Sequence, residues 1–226
     1  MLYQRHLAAL SVRLAGLIGN RNLKWMAFCR LKGCWIHSLG GEKGKRMFDL
    51  INIKLRKPTY DDGNGFIAIC AEKETMRYYG AAGSNITTEA QAKNQIDWCL
   101  EEFNNNGGRW IITLHDSDEY IGDIGFHNYC ADSHKVEIGF RLKNKYWGQG
   151  IMTKCIKHLV AYGFTNNHYN RIEALVDERN QGSKSVLIKS GFKYEGTLRE
   201  YELESDGYVN LEMYSLLKRE CKNIAT

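Results

Sequence analysis

The spacing of apolar and polar residues predicts alternating strands and helices from about residue 48 onward. Residues 51–56 alternate between apolar and polar side chains, as a half-buried strand does. A capping box over Thr88–Gln91 precedes an apolar helical stripe that stops at Gly107-Gly108. The predicted strands are 51–56, 109–115, 120–129, 135–142, 171–177, one starting at 191–192, and 208–217; helices are predicted after Thr59, at 88–106, after Gly150 and over 183–189. This order predicts a mixed sheet with helices on both faces, in the α/β or α+β class.

The charge of the chain divides it into two parts. Residues 1–46 hold nine Lys or Arg and one acid, whereas residues 47–226 hold 22 basic and 25 acidic residues. Residues 1–46 therefore form a basic leader, and 47–226 form the folded domain, for which no direct nucleic-acid binding is predicted. Three interpretations of the leader stay open: a targeting segment, a basic arm for RNA or the ribosome, or translated non-coding sequence ahead of Met47. The last rests on Gly40 to Arg46, whose codons are purine-rich like a bacterial ribosome-binding site.

Several classes of protein are disfavoured by composition. No run approaches 18 consecutive apolar residues, so we expect no membrane helix. The seven cysteines are scattered without a C-x-x-C pair, and the seven histidines show no metal spacing, so we expect neither disulfides nor a metal site. These features predict a cytoplasmic protein.

Four segments carry a family resemblance: Val136 to Leu142, Tyr146 to Gly150, Asn180 to Ser183, and Lys189 to Gly196. In this order they resemble the GNAT acyltransferases, and among these the branch of the ribosomal-protein N-acetyltransferases RimJ and RimL and of the spermidine acetyltransferases. The resemblance covers residues 50–220. It implies a central mixed, mostly antiparallel sheet and transfer of an acetyl group from acetyl-CoA to a primary amine.

The loop before the 151–164 helix is the predicted phosphate site. A helix N-terminus offers unpaired N–H groups and a positive dipole end to an anion, and glycine lets the backbone close around it. Lys145 stands where the family usually has Gln or Arg. The resemblance also implies that the preceding strand pairs with the pantetheine arm and that Asn180 orients the cofactor, although Asn180 and Ser183 could simply cap a helix. The predicted cofactor-binding residues are Phe140, Arg141, Leu142, Trp147, Gly148, Gln149, Gly150, Ile151, Met152, Thr153, Asn180 and Ser183.

Acetyl transfer to an amine requires a base for the ammonium proton and stabilisation of the leaving thiolate. Glu137 is the candidate base, on the strand face opposite Val136; a solvated glutamate, or one paired with Arg141, is the alternative. Leu187 stands where spermidine acetyltransferases carry a tyrosine acid, so Ser183, a helix N-terminus or water would replace it. No cysteine is placed as an acyl carrier, and direct transfer in a ternary complex is expected.

The acceptor is the least determined part of the prediction. The resemblance favours a peptide or protein N-terminal amine as partner, and a homodimer is one possible assembly. A polyamine or aminoglycoside acetyltransferase and a catalytically silent CoA-binding regulatory domain remain alternatives. Acidic residues would form a rim attractive to a cationic amine, or else a solvated hairpin: Glu195, Glu200, Glu202, Glu204 and Asp206.

Overall fold

The computed structural model describes residues 48–50, 52–79, 85–204 and 207–223. The predictions for the leader, and for Asp206, lie outside the described residues. The strands are β1 (Phe48–Leu50), β2 (Ile53–Arg56), β3 (Gly108–Leu114), β4 (Tyr120–Cys130), β5 (Lys135–Leu142), β6 (Arg171–Asp177), β7 (Lys193–Glu204) and β8 (Gly207–Leu217). The helices are α1 (Gly63–Ala71), α2 (Lys73–Met76), α3 (Glu89–Glu102), α4 (Ile151–Asn166) and α5 (Gln181–Lys189).

The described strands form one eight-stranded sheet in the order β1-β2-β3-β4-β5-β6-β8-β7. All neighbouring strands pair antiparallel except β5 and β6, which are parallel. Parallel neighbours need a long crossover, and α4 supplies it between β5 and β6. The predicted fold, a mixed and mostly antiparallel sheet with helices, is confirmed.

Alternation along β3 shows how the helices divide between the two faces of the sheet. Trp110 and Ile112 are buried in a core that includes Leu159 of α4, whereas Ile111 packs in a second core with Ile96 of α3. Successive side chains of a strand point to opposite faces. Helices α1 and α3 therefore cover one face, and α4 covers the other.

The observed bounds of β5 and β6 are the predicted ones, 135–142 and 171–177. The capping box before α3 is also confirmed, with the Gln91 N–H donating to Thr88 Oγ1 at 3.3 Å. The prediction of one continuous strand over 51–56 was wrong: β1 and β2 form a hairpin, and Asn52 in its turn has φ 67°. Within the described ranges, no helix is long and apolar enough to cross a membrane.

Candidate active site

The parallel strands β5 and β6 pair along only part of their length. Their register runs from Lys135↔Arg171 to Glu137↔Glu173. Beyond Glu137, β5 continues to pair with β4, and β6 continues to pair with β8. In the described part of the sheet, no backbone hydrogen bonds therefore join β5 to β6 beyond this point, that is, between residues 138–142 and 174–177. Such an opening exposes backbone donors and acceptors to an extended ligand, as a sheet edge does.

The loop between β5 and α4 is shaped by two glycines. Gly148 and Gly150 have φ 73° and 75°, the left-handed region that costs other residues strain. Gly150 is the N-cap of α4 and provides no side-chain cap. The first helical bond from the Lys154 N–H reaches Gly150 O at 3.1 Å. The N–H groups of residues 151–153, which precede this bond, are the free donors of the helix terminus.

These N–H groups fit an anion such as a pyrophosphate, because they stand at the positive end of a 16-residue helix. The side chains of Ile151 and Met152 are buried in the core, so they would contact a ligand through their backbone. Thr153 is half-buried. Lys145 Nζ forms an ion pair with Glu119 Oε1 at 2.9 Å. The charge of Lys145 is therefore already paired within the protein.

Trp147 and Gln149 brace the same loop. The Trp147 indole is half exposed, and its Nε1 donates to the carbonyl of Leu142 at 2.6 Å, across the end of β5. The Gln149 amide donates to the carbonyl of Lys145 at 3.1 Å. Both side chains therefore hold the turn that presents the α4 N-terminus.

Asn180 is the N-cap of α5, and its Oδ1 accepts the Ser183 N–H at 3.0 Å. The capping interpretation of this pair is thus correct, and capping leaves the half-buried Ser183 hydroxyl at the first turn of the helix. Leu187, one turn further, is fully buried in the core shared with α4. Its position cannot present an acid to a ligand.

The side chain of Arg141 lies in a buried ion network instead of pairing with Glu137. Its Nε donates to Asp123 Oδ2 at 2.7 Å, and Arg109 Nε donates to Asp123 Oδ1 at 2.6 Å. Burial raises the pKa of Asp123, but the two guanidiniums prevail and lower it. Any cofactor contact by Arg141 would therefore come from its backbone, as would one by buried Leu142, whereas the side chain of Phe140 is only half-buried.

This network was missed from the sequence, although a signal existed. Asp123 interrupts the apolar run of β4, and a buried carboxylate requires a partner. In the observed register it lies directly opposite Arg141. The network also reaches the segment after α2, because Arg109 Nη2 donates to the Tyr79 hydroxyl.

Glu137 is separate from this network and lies where β5 and β6 begin to diverge. Its side chain keeps 27% of its surface exposed, and His127 Nε2 is 3.6 Å from its Oε2. Burial raises the pKa of Glu137, while a hydrogen bond from the Asn128 side chain opposes the rise. A carboxylate of raised pKa in a partly open site is suited to accept a proton near neutral pH.

Arginine side chains pair with two acids of the predicted acidic rim. Glu195 accepts two hydrogen bonds from Arg171, and Glu204 pairs with Arg179 at 3.2 Å. The pKa of Glu195 falls to about 2, mainly because of the bond from Arg171. Among the described residues no group of three His, Cys, Asp or Glu could hold a metal ion.

The chain is similar to several known proteins in sequence and in fold. Residues 52–193 match the family model of the acetyltransferase (GNAT) domain. The chain is 31% identical over 169 residues to an uncharacterized N-acetyltransferase p20 of Bacillus licheniformis, covering 74% of this chain and 94% of that protein. It is 29% identical over 105 residues to a ribosomal-protein-serine acetyltransferase of Escherichia coli, covering 46% and 59% of the two chains. The fold resembles that of RimL, a ribosomal L7/L12 acetyltransferase solved with coenzyme A, at a TM-score of 0.69 and 16% identity, covering 76% of this chain and 98% of RimL.

Proposed function

Because the chain belongs to the GNAT family and is an acyltransferase, we propose that it acetylates the N-terminal amine of a protein, with acetyl-CoA as donor. The observation that carries the proposal is the opening between β5 and β6, which has the uncapped α4 N-terminus at one end and Glu137 at the other. A ribosomal protein is the favoured acceptor, supported by the ribosomal-protein-serine acetyltransferase relative. Such a substrate would place the reaction in the cytoplasm.

The residues on both sides of the opening fit acetyl-CoA. The backbone from Trp147 to Thr153 would hold the pyrophosphate, and the free edge of Phe140 to Leu142 would pair with the pantetheine arm. Asn180 fixes the start of α5 on the far side of the opening. Bound there, acetyl-CoA supplies an activated thioester to the acceptor.

Glu137 would remove the proton from the acceptor ammonium group. Burial raises its pKa, which brings the carboxylate closer in basicity to the group it must deprotonate. Glu137 lies on the face of β5 that α1 and α3 cover. Arg141 lies on the same face, and its Nη1 is 3.4 Å from Cys70 Sγ of α1. The acceptor would therefore approach from that side.

Ser183 is the proposed donor to the leaving sulfur. Its hydroxyl stands in the first turn of α5, where the helix dipole favours negative charge. Leu187 supports this assignment indirectly, since it is buried and apolar. The proposed reaction is direct transfer in a ternary complex. Glu137 takes the proton of the attacking amine, and Ser183 donates to the leaving sulfur in the same displacement.

The charge of the acceptor side favours a single cation over a polyamine. A polyamine has several ammonium groups and needs several free carboxylates. Here Arg171 and Arg179 hold two of the candidate carboxylates, those of Glu195 and Glu204. A peptide N-terminus needs one carboxylate at the reacting nitrogen, and Glu137 provides it.

The test uses the purified full chain, acetyl-CoA and a thiol-release assay. The acceptors are hexapeptides that begin with Ala, Ser or Met, together with spermidine and kanamycin. We expect turnover on peptides, with kcat/KM rising with peptide length because remote contacts contribute. Turnover on spermidine or kanamycin alone would overturn the protein-acceptor proposal.

The role of Glu137 is tested with Glu137→Gln and with Glu101→Gln as the matched control, an exposed acid of α3. Loss of a general base should lower kcat by about 100- to 10,000-fold, while acetyl-CoA affinity by calorimetry stays unchanged. The control should retain full turnover. Equal turnover in both variants would remove Glu137 from the mechanism.

A further inference from the structure

His127 lies beside Glu137 on the neighbouring strand β4. The two residues are direct cross-strand partners, and Nε2 of the ring is 3.6 Å from the carboxylate. The edge of Trp98 from α3 packs on the ring, with centroids 6.4 Å apart. Gly139 leaves room for it: a Cβ at that position would lie 3.2 Å from His127 Cε1 and 3.4 Å from Arg109 Nη1. The ring therefore lies beside Glu137, and Arg109 is nearby.

The other ring nitrogen determines the tautomer. Nδ1 is buried and, among the described residues, has no hydrogen-bond partner. A proton on Nδ1 would leave a buried donor unpaired and turn the Nε2 lone pair toward a carboxylate, and both are unfavourable. A proton on Nε2 instead points at Glu137 and leaves only a weak acceptor unpaired.

The surroundings also keep the ring neutral. Burial first, and then the charge of Arg109, lower the pKa of His127 to about 4. The charged and polar groups facing Glu137 are His127 and Asn128 from β4, Lys135 on β5 and Glu173 from β6. Lys135 Nζ also pairs with Glu173 Oε2 at 3.2 Å, so its positive charge acts on both Glu137 and Glu173. Above pH 5, His127 is therefore a fixed donor that takes up no proton from the reaction.

We propose that His127 is a positioning residue for acetyl transfer: its neutral ring directs Nε2–H at Glu137 and holds that carboxylate ionised and turned toward the acceptor. This inference rests on the proposed role of Glu137 as base. At 3.6 Å the contact is longer than a hydrogen bond, so it acts electrostatically and leaves the carboxylate oxygens available to an incoming ammonium group.

The decisive experiment measures Glu137 without any substrate. Carboxyl ¹³C shifts of the full chain are followed against pH, with Glu137→Gln to assign the signal, in the wild type, His127→Phe and His127→Gln. Phenylalanine keeps the ring without a donor, whereas glutamine keeps a neutral N–H. We expect the midpoint of the Glu137 titration to rise by about one pH unit in His127→Phe and to stay near the wild-type value in His127→Gln. If the phenylalanine variant does not fold, His127→Met replaces it.

The same shift should appear in kinetics on the best peptide of the panel. At the acidic end of the profile, kcat/KM of His127→Phe should fall about tenfold below wild type, and the two should converge at high pH. The peptide's own ionisation cancels because all proteins are compared on it. A titration midpoint common to the three proteins would overturn the role of His127, even if Glu137→Gln abolishes turnover. Full turnover of Glu137→Gln would overturn the base assignment instead.

Discussion

Replacing Asp123 with asparagine would remove the carboxylate that Arg109 and Arg141 share. All three side chains are buried, with exposures of 0%, 4% and 3% for Asp123, Arg109 and Arg141. Removing one partner of a buried ion pair costs about 3–5 kcal/mol, because a charge is left without compensation. Here two guanidiniums would be left, so we expect the upper part of that range. This is a large fraction of a typical unfolding free energy of about 5–15 kcal/mol.

Urea unfolding followed by circular dichroism measures the effect of Asp123→Asn, with Asp118→Asn as the matched control. Asp118 pairs with Arg56 at 3.1 Å but keeps 54% of its side chain exposed, so its loss should cost below about 1 kcal/mol. A combined Arg109→Met, Asp123→Leu and Arg141→Met variant should recover much of the stability, since it leaves no charge of this network buried. An Asp123→Asn loss no greater than that of Asp118→Asn would refute the reasoning.

The cost of Asp123→Asn should also depend on pH in a defined direction. The two arginines hold the pKa of Asp123 below its value of about 3.9 in an unfolded chain. A depressed native pKa adds stability that is present above the unfolded pKa and is lost as pH falls through the native one. The difference between wild type and variant should therefore be constant from pH 5 to 8 and shrink below about pH 4.

Three further substitutions test the cofactor side of the opening. Gly150→Ala should strain the left-handed turn by roughly 1–2 kcal/mol and raise the acetyl-CoA Kd measured by calorimetry, while Gly182→Ala in α5 should not; equal Kd values would contradict the phosphate site. Trp147→Phe loses the bond to the Leu142 carbonyl, worth about 0.5–1.5 kcal/mol, and should lower acetyl-CoA affinity by about tenfold or less; a larger loss would mean that the indole itself contacts the cofactor. Leu187→Tyr should lower Tm by overpacking the core, at about 1–3 kcal/mol, without raising kcat; a faster enzyme would show that position 187 reaches the thioester.

Local sequence signals predicted the elements around the proposed cofactor site. The alternation of Val136 and Ile138 with Glu137 fixed the bounds of β5, because the period of a strand is visible in its own residues. Gly148 and Gly150 were expected to let the backbone close around a phosphate, and both adopt the left-handed conformation that glycine tolerates at no steric cost. These features depend on neighbours in sequence.

Contacts distant in sequence explain features that local patterns alone do not. Helix α1 begins at Gly63 and includes Gly65, residues that disfavour a helix by themselves. The structure explains Gly65, because a Cβ there would lie 2.5 Å from the ring of Tyr120. The approach of Arg109, Asp123 and His127 to β5 likewise depends on the register of the meander, which no single segment specifies.

Strand β5 serves the proposed site in three ways because its two faces and its free edge are separate. Val136 and Ile138 point into the core with α4 and anchor β5. Glu137 and Arg141 point to the opposite face, where the acceptor would approach and where the ion network fixes the strand. The edge beyond Glu137 is left free for the cofactor by the divergence of β6. A slip of one residue in the β4–β5 register would exchange the two faces and bury Glu137 in the α4 core. The cross-strand pairs Asp123↔Arg141 and His127↔Glu137 oppose such a slip, so the register that places Glu137 beside His127 is also the one that pairs Asp123 with Arg141.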